Sequence, residues 1–486
     1  MRRPTGSQPF GPLIRPAAMP CGRREFLHRA AGGFGALALA GMWSDLARAG
    51  QEPQKPDDPL APRPAHFPAR AKTVIFIFST GGTSHVDTFD YKPKLYEADG
   101  KTVAAASPDV GKRGAAAQFI KRPNWDFRPY GQSGTMVSDL FPCLGRCADD
   151  LCVIRSMHGD SGGHDKATMG MHTGSFNFAR PSIGAWVSYG LGTENQNLPS
   201  FMVLAPRPPY TGTQAWGSDF LPGCHQGTHV VPGAAPVPNV ARLTPSDELQ
   251  QMELELLGQH NRKHQRSRAA DLALEAQIRS FETAFGMQQA APEAFDLSGE
   301  TDTTLELYGM KRGDAPGFGW QCLMARRLAE RGVRFIELLD VGSSGNWDSH
   351  GDMNDHARLA RNIDRPLAAL LRDLKGRGML DSTLLVWTTE FGRTPYNVAR
   401  DARGREHHNA VFSSWLAGGG VKGGLAYGSS DELGAAVAAD GVHVHDLHAT
   451  ILHLLGIDHE RLTYRHAGRD FRLTDVAGNV VRHVLA

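Results

Sequence analysis

Four short runs of carboxylates and imidazoles carry the chemistry that the sequence offers. Gly81–Asp90 (GGTSHVDTFD) supplies His85, Asp87 and Asp90 beside glycines that let the chain turn sharply and expose its amides. Ser161-Gly162-Gly163-His164-Asp165 supplies a second histidine just ahead of a helix-like stretch, where a helix start favours an anion. Asn346-Trp347-Asp348-Ser349-His350-Gly351-Asp352 is the third run. Thr388–Arg393 (TTEFGR), with Arg405-Glu406-His407-His408-Asn409 shortly after, is the fourth. Mixed carboxylate and imidazole donors suit Zn, Mn, Fe or Mg better than a thiolate site would. Two such ions about 4 Å apart would clamp an oxyanion and activate a water or hydroxyl for displacement. Singly, an Asp-x-His is commonly a capped turn and a strand-end Glu a salt-bridge partner. Four such runs, each just after an expected strand, point at one rim.

The elements that must position them are legible as apolar runs. Thr73–Ser79 (TVIFIFS), the run ending near Arg155, Val333–Leu339 and Thr383–Trp387 read as strands buried on both faces, with a short strand at Ser413–Leu416. Asp355–Lys375 carries Leu359, Ile363, Leu367, Leu370, Leu371 and Leu374 near helical spacing, and Asp446–Leu455 reads as another helix. Strand, helix, strand at this spacing is a βαβ unit. The expected fold is α/β, a doubly wound, mostly parallel sheet with helices on both faces. Ser246–Met287 is long, charged and helical, a helical insertion in that core.

Composition narrows the class. The chain has 486 residues with 41% hydrophobic content, and 52 basic against 51 acidic residues leave a net charge of +1. That balance argues against a nucleic-acid binder. Five cysteines beyond residue 49 are scattered and make no full disulfide framework. Arg23-Arg24 precedes a short apolar stretch, Ala30–Met42, which ends in Ala47-Arg48-Ala49. This is the pattern of a twin-arginine export signal over residues 1–49, and the stretch is too short to span a bilayer. Cys21 precedes the apolar stretch, which argues against a lipoprotein anchor, and Met1 and Met19 both stand as candidate starts. Residues 50–70 read as a Pro-rich linker and 71–486 as the α/β domain. Membrane contact is expected only through the signal during export.

The segments GRREFL, FIFSTGGTSHVDTFD, GNWDSHGD, TTEFGRTP, GREHHNAVFSSWLAGGGVKGG and DLHATILHLLGID together resemble domain-of-unknown-function family 1501 (DUF1501) over residues 20–486. That family is similar to a branch of the alkaline phosphatase and sulfatase superfamily. The resemblance implies one or two divalent ions (Zn, Mn, Mg or Ca) at the carboxyl ends of the strands. It matches Asp87, with His85 next, to the Asp after the first strand, and Asp348 and His350 to an Asp-x-His pair. Glu390 matches the later acidic ligand, with Phe391 where many relatives carry His, which weakens one subsite. His407 matches the late His ligand, with His408 as its alternate, while the resemblance places His443, His445, His448 and His453 where the family has a packing strand and helix, so they read as structural.

At the nucleophile position the resemblance offers only Gly162 and Gly163, and no Cys-x-Pro-x-Arg sulfatase signature occurs. Ser161, Thr168 or Thr88 would serve, or His164 would bind metal while a metal-bound water attacks. Arg155 and Arg393 stand equally as anion clamps or as buried ion-pair partners. The expected function is an exported metal-dependent hydrolase of phosphate or sulfate esters, acting on a small-molecule or polysaccharide ester. The alternative is a non-catalytic, metal-stabilised binding protein of the cell envelope that keeps the fold. Acyl transfer by a Ser-His-Asp arrangement is the poorer reading.

Overall fold

All six residues of the first strand, β1 (Thr73–Phe78), are buried, as a run with no polar face requires. The computed structural model describes residues 58–103, 118–195, 197–233, 235–237, 244–266 and 272–486. The segment expected as an export signal and the first part of the expected Pro-rich linker lie outside them. Residues 58–70 contain no helix or strand.

Eight further strands join β1 in one sheet: β2 (Leu151–His158), β3 (Phe201–Leu204), β4 (Thr228–Val230), β5 (Phe335–Leu339), β6 (Thr383–Thr388), β7 (Phe412–Ala417), β8 (Leu425–Tyr427) and β9 (Val442–His443). Their order is β8-β2-β7-β6-β1-β5-β3-β4, with β9 also on β2. β1 pairs in parallel with β6 (Ile75 opposite Leu385) and with β5 (Ile75 opposite Ile336). β7 is antiparallel to both β6 and β2, so it alone runs against the rest of this mixed sheet. The short strand expected at Ser413–Leu416 is this reversed one.

Side chains alternate across the sheet with period two. Ile75 and Ile77 face a core built with α5 (Phe318–Glu330) and α6 (Asp355–Gly376). Val74, Phe76 and Phe78 face a second core built with α2 (Ile183–Leu191) and α7 (Val444–Leu454). Leu359, Ile363, Leu367, Leu370, Leu371 and Leu374 of α6 are buried together, as their spacing requires. His443 caps α7, its side chain accepting from His445 N while Asp446 accepts from His443 N.

The four chemical runs leave β1, β2, β5 and β6. These strands share one direction, so all four runs emerge at the same edge. The described helices of the 246–287 region are anchored at the other edge. After α3 (Asp247–Arg266), α4 (Leu272–Phe295) continues past Met287, and its Met287, Ala291 and Ala294 enter the core. Glu293 of α4 pairs with Arg331 at 3.1 Å, in the turn that leads into the amino end of β5. Arg279 holds Asp58 at 3.3 Å. The neighbouring Leu60 O accepts from Thr193 N, beside Gly192, whose carbonyl takes Arg334 Nε at that same amino end.

One polar pair is buried inside this core. Glu337, in the middle of apolar β5, lies 2.9 Å from Nε2 of His172 in α1 (His164–Thr173), and both are at most 1% exposed. His172 Nδ1 is 2.7 Å from Thr168 O, so both ring nitrogens face oxygens, an arrangement that favours the protonated ring. Burial pulls its pKa down, but Glu337 and the Thr168 carbonyl outweigh burial and hold it above the ordinary value. Glu337→Ala strands that charge and is expected to cost roughly 3–5 kcal/mol in urea unfolding, with much of the loss recovered when His172→Leu is added. The His172 pKa is raised on folding, so the wild-type advantage is full below the ordinary histidine value of about 6.5 and fades as pH rises through the folded value.

Candidate metal centre

His164 is the first residue of α1, directly after Gly162-Gly163. Its Nδ1 lies 2.8 Å from Glu390 Oε1. Glu390 follows β6, is buried, and also accepts from Gly81 N (2.8 Å) and Thr389 Oγ1 (3.0 Å). Gly81 has φ +115°, and a Cβ there would stand 2.6 Å from Asp348 N. Only glycine lets the loop after β1 lie against the loop after β5.

The other imidazoles are held in the same manner. His407 Nδ1 is 2.7 Å from Gly162 O, and His350 Nδ1 is 3.0 Å from Glu406 Oε2. Each Nδ1 faces an oxygen acceptor, which places the proton there and turns the Nε2 lone pair inward. All three Nε2 atoms meet the Asp348 carboxylate: His164 at 3.2 Å, His350 at 3.0 Å and His407 at 3.3 Å. His350 Nε2 and His407 Nε2 are 2.9 Å apart. The donor atoms of His164, Asp348 and His407 lie within 4.8 Å of one another. His164 Nε2 is buried and, despite its 3.2 Å approach to Asp348, makes no hydrogen bond. Acceptors packed this closely repel unless a positive charge lies among them.

The titration shifts express that demand. Burial works against both charged forms, yet His164, His407 and Arg393 hold the Asp348 carboxyl far below its usual range. Asp348 and Glu390 raise His164 against the pull of burial. A proton on His164 relieves the crowding, and a divalent cation competes with it for the same lone pairs. Burial and Arg393 lower His350. Asp340, fully buried behind Trp347 and accepting from its indole N–H, is pushed by burial up to about 7.

Three further residues expected as ligands lie elsewhere. Asp87 is buried, accepts from Ser84 Oγ, and is paired with Arg405 Nε at 2.8 Å. His85 Nε2 is 2.8 Å from Gly434 O, and burial lowers its pKa to about 4. His408 Nε2 is 2.9 Å from Ala435 O, and its ring stacks on His85. His407 and His408 are successive residues of an extended pair opposite Gly392-Arg393, so only one of them can face the centre.

The remaining candidates divide. Arg393 is buried and gives Nη2 to Asp348 (2.6 Å), Nε to Gly82 O (2.9 Å) and Nη1 to Arg405 O (3.2 Å), so it is an ion-pair partner with no free edge for an anion. Arg155 acts on Asp90, which is paired with Lys92. Thr88 Oγ1 donates to Ser84 O and closes the turn at residues 85–87. Thr168 is buried inside α1. Ser161 is half-buried in the loop ahead of His164, its hydroxyl accepting from Gly163 N at 3.2 Å. His443 Nε2 faces Asp160, while His445 and His448 meet the carbonyls of Gly174 and Met171.

Tyr210, Asn346, Glu406 and the role of Phe391 were not expected. Tyr210 stacks on His164 (4.0 Å, 16°), and its hydroxyl accepts from Asn346 Nδ2 at 3.0 Å. Phe391, expected as the loss of a ligand, packs against both His164 (4.9 Å) and His407 (4.5 Å). The signal for Tyr210 was its place in Arg207-Pro208-Pro209-Tyr210, after a strand that opens at the same edge.

Several solved structures are similar to this chain at low identity. The soluble domain of lipooligosaccharide phosphoethanolamine transferase A from Neisseria meningitidis is 10% identical, over 82% of this chain and 92% of that one (TM-score 0.35). The PsFucS1 sulfatase from Pseudoalteromonas sp. is 13% identical over 80% and 69% (TM-score 0.34). Alkaline phosphatase from the Antarctic bacterium TAB5 is 11% identical over 80% and 98% (TM-score 0.32). The comparison with curated proteins gives no match. The model of the family described as "Protein of unknown function (DUF1501)" matches residues 71–485, and with that span the chain belongs to this family.

Proposed function

We propose that this protein is an exported hydrolase of phosphate or sulfate esters that works with a single divalent ion. The observation that carries the reading is the convergence of three imidazole Nε2 atoms on one carboxylate, each ring oriented by an oxygen acceptor behind it. His164, Asp348 and His407 would hold the ion, with His350 beside them. A divalent ion bound there would polarise an ester oxygen and bring the pKa of a water toward neutrality. One ion is proposed because Asp87, expected among the ligands, is already neutralised by Arg405. Export rests on the arginine pair, apolar stretch and A-x-A pattern of the first 49 residues.

The surrounding residues divide the work. Arg393 offsets the charge of Asp348 and fixes its orientation. Glu390 and Gly162 O orient His164 and His407. His350, held by Glu406 and 40% exposed, carries protons between the centre and water. Tyr210 accepts from Asn346, which leaves its own hydroxyl proton for an oxygen of the substrate. Ser161 or a water supplies the attacking oxygen. The binding-protein reading is favoured by one feature, the absence of a hydroxyl at Gly162-Gly163.

Elemental analysis of the purified chain should find one divalent ion per chain. Glu390→Gln should weaken metal affinity by roughly 10–100-fold, as loss of a group that orients a ligand does elsewhere. Affinity should fall with pH, starting above the ordinary histidine range because His164 is raised. Asp348→Asn should lose the ion and at least about a hundredfold in aryl phosphate or aryl sulfate turnover. A fully loaded parent that turns over neither ester leaves the binding-protein reading in its place. Tyr210→Phe keeps the ring on His164, so it should lower kcat about tenfold with metal content unchanged.

A further inference from the structure

We infer that the α3–α4 limb is a self-association surface that docks on a second copy of this chain, the two hairpins forming an antiparallel four-helix bundle. The limb is rooted through Met287, Ala291 and Ala294 at the end of α4, and α3 carries an apolar surface outward. Among the described side chains of α3, Gln250, Leu254, Gly258 and Asn261 are the half-buried positions, spaced to face α4. Leu249, Met252 and Leu256 form another stripe at i, i+3 and i+7, and with Leu257 and Phe281 of α4 are 42–66% exposed. Beside this stripe a groove of about 330 Å³ runs between the helices, lined by Leu254, Leu257, Ile278 and Phe285. Two helices alone cannot bury such a surface, whereas two hairpins can.

The charge pattern selects the occupant and its direction. The first ten residues of α3 (DELQQMELEL) hold four acids and no base, and the last ten (LGQHNRKHQR) hold three bases, two histidines and no acid. A second copy laid antiparallel sets each acidic half on a basic half, as a two-fold axis requires. An anionic membrane surface is disfavoured, because Glu253 and Glu255 interrupt the apolar stripe. The anchors of the limb lie at the amino-end side of the sheet, away from the metal centre, and the inference does not depend on the reading of that centre.

Sedimentation velocity on the full chain over about 1 to about 100 µM should show a concentration-dependent species of twice the 52.7 kDa chain mass. Leu256→Glu with Phe281→Glu should give a monomer with unchanged circular dichroism and unchanged metal content. Reversing the acidic half alone (Glu253→Lys, Glu255→Lys) should weaken the dimer at least about tenfold, and adding Lys263→Glu should restore part of it. A parent that is monomeric throughout, including one that binds only vesicles, overturns the inference. So does a dimer indifferent to Leu256→Glu with Phe281→Glu. A dimer lost with those two changes but unmoved by the charge reversals overturns the antiparallel arrangement.

Discussion

Nitrogen and oxygen lone pairs packed around Asp348 set the condition that the rest of the site meets. Three imidazole nitrogens within 3.3 Å of one carboxylate are a high-energy arrangement without positive charge between them. Arg393 supplies part of that charge from behind, through a guanidinium buried between the loops that follow β1 and β5. The rest must enter from the open side, as a proton or a cation. The support that keeps the donors from turning away is spread widely. Glu390, Gly162 O and Glu406 fix the rings, and Gly81 lets two loops touch where any side chain would separate them.

Much of this was legible in the sequence, and the reason is geometric. Continuous apolar runs announce strands buried on both faces, and parallel strands end at a common edge. Residues that follow such runs are therefore neighbours in space whatever their separation in sequence. His164, Asp348, His350, Glu390 and His407 were found by that logic. Asp87, His85 and His408 satisfy the same logic and yet face elsewhere. The rule identifies which residues reach the rim but not which way each one points. On an extended segment neighbours face opposite sides, so His407 and His408 could not both serve. Asp87 was claimed by Arg405, 318 residues later, and no local pattern announces that pairing.

A second kind of illegibility concerns polarity hidden in apolar elements. Val333–Leu339 reads as a buried strand, and it is one, but Glu337 in its middle carries a charge into the core. The burial is tolerable because His172 arrives from α1 with a matching charge. That pair also bears on the centre, since α1 begins with His164, and a helix pinned at one end to β5 holds its first residue in place. Tyr210 and Phe391 escaped notice because their contribution is shape: they wall in the rings of His164 and His407 and exclude water from one side.

The two ends of the sheet divide their tasks. The carboxyl edge gathers loops that are individually irregular but cross-linked by buried ion pairs, a construction that fixes the orientation of the side chains they carry. The amino edge roots a helical limb whose outer face has no partner within the described chain. An inserted hairpin that capped the centre would turn its apolar face toward the carboxyl edge and place its anchors there. Here the anchors, Glu293 on Arg331 and Arg279 on Asp58, lie at the other edge. Association through the limb would leave both centres open, so a dimer of this kind stabilises the fold without completing the site.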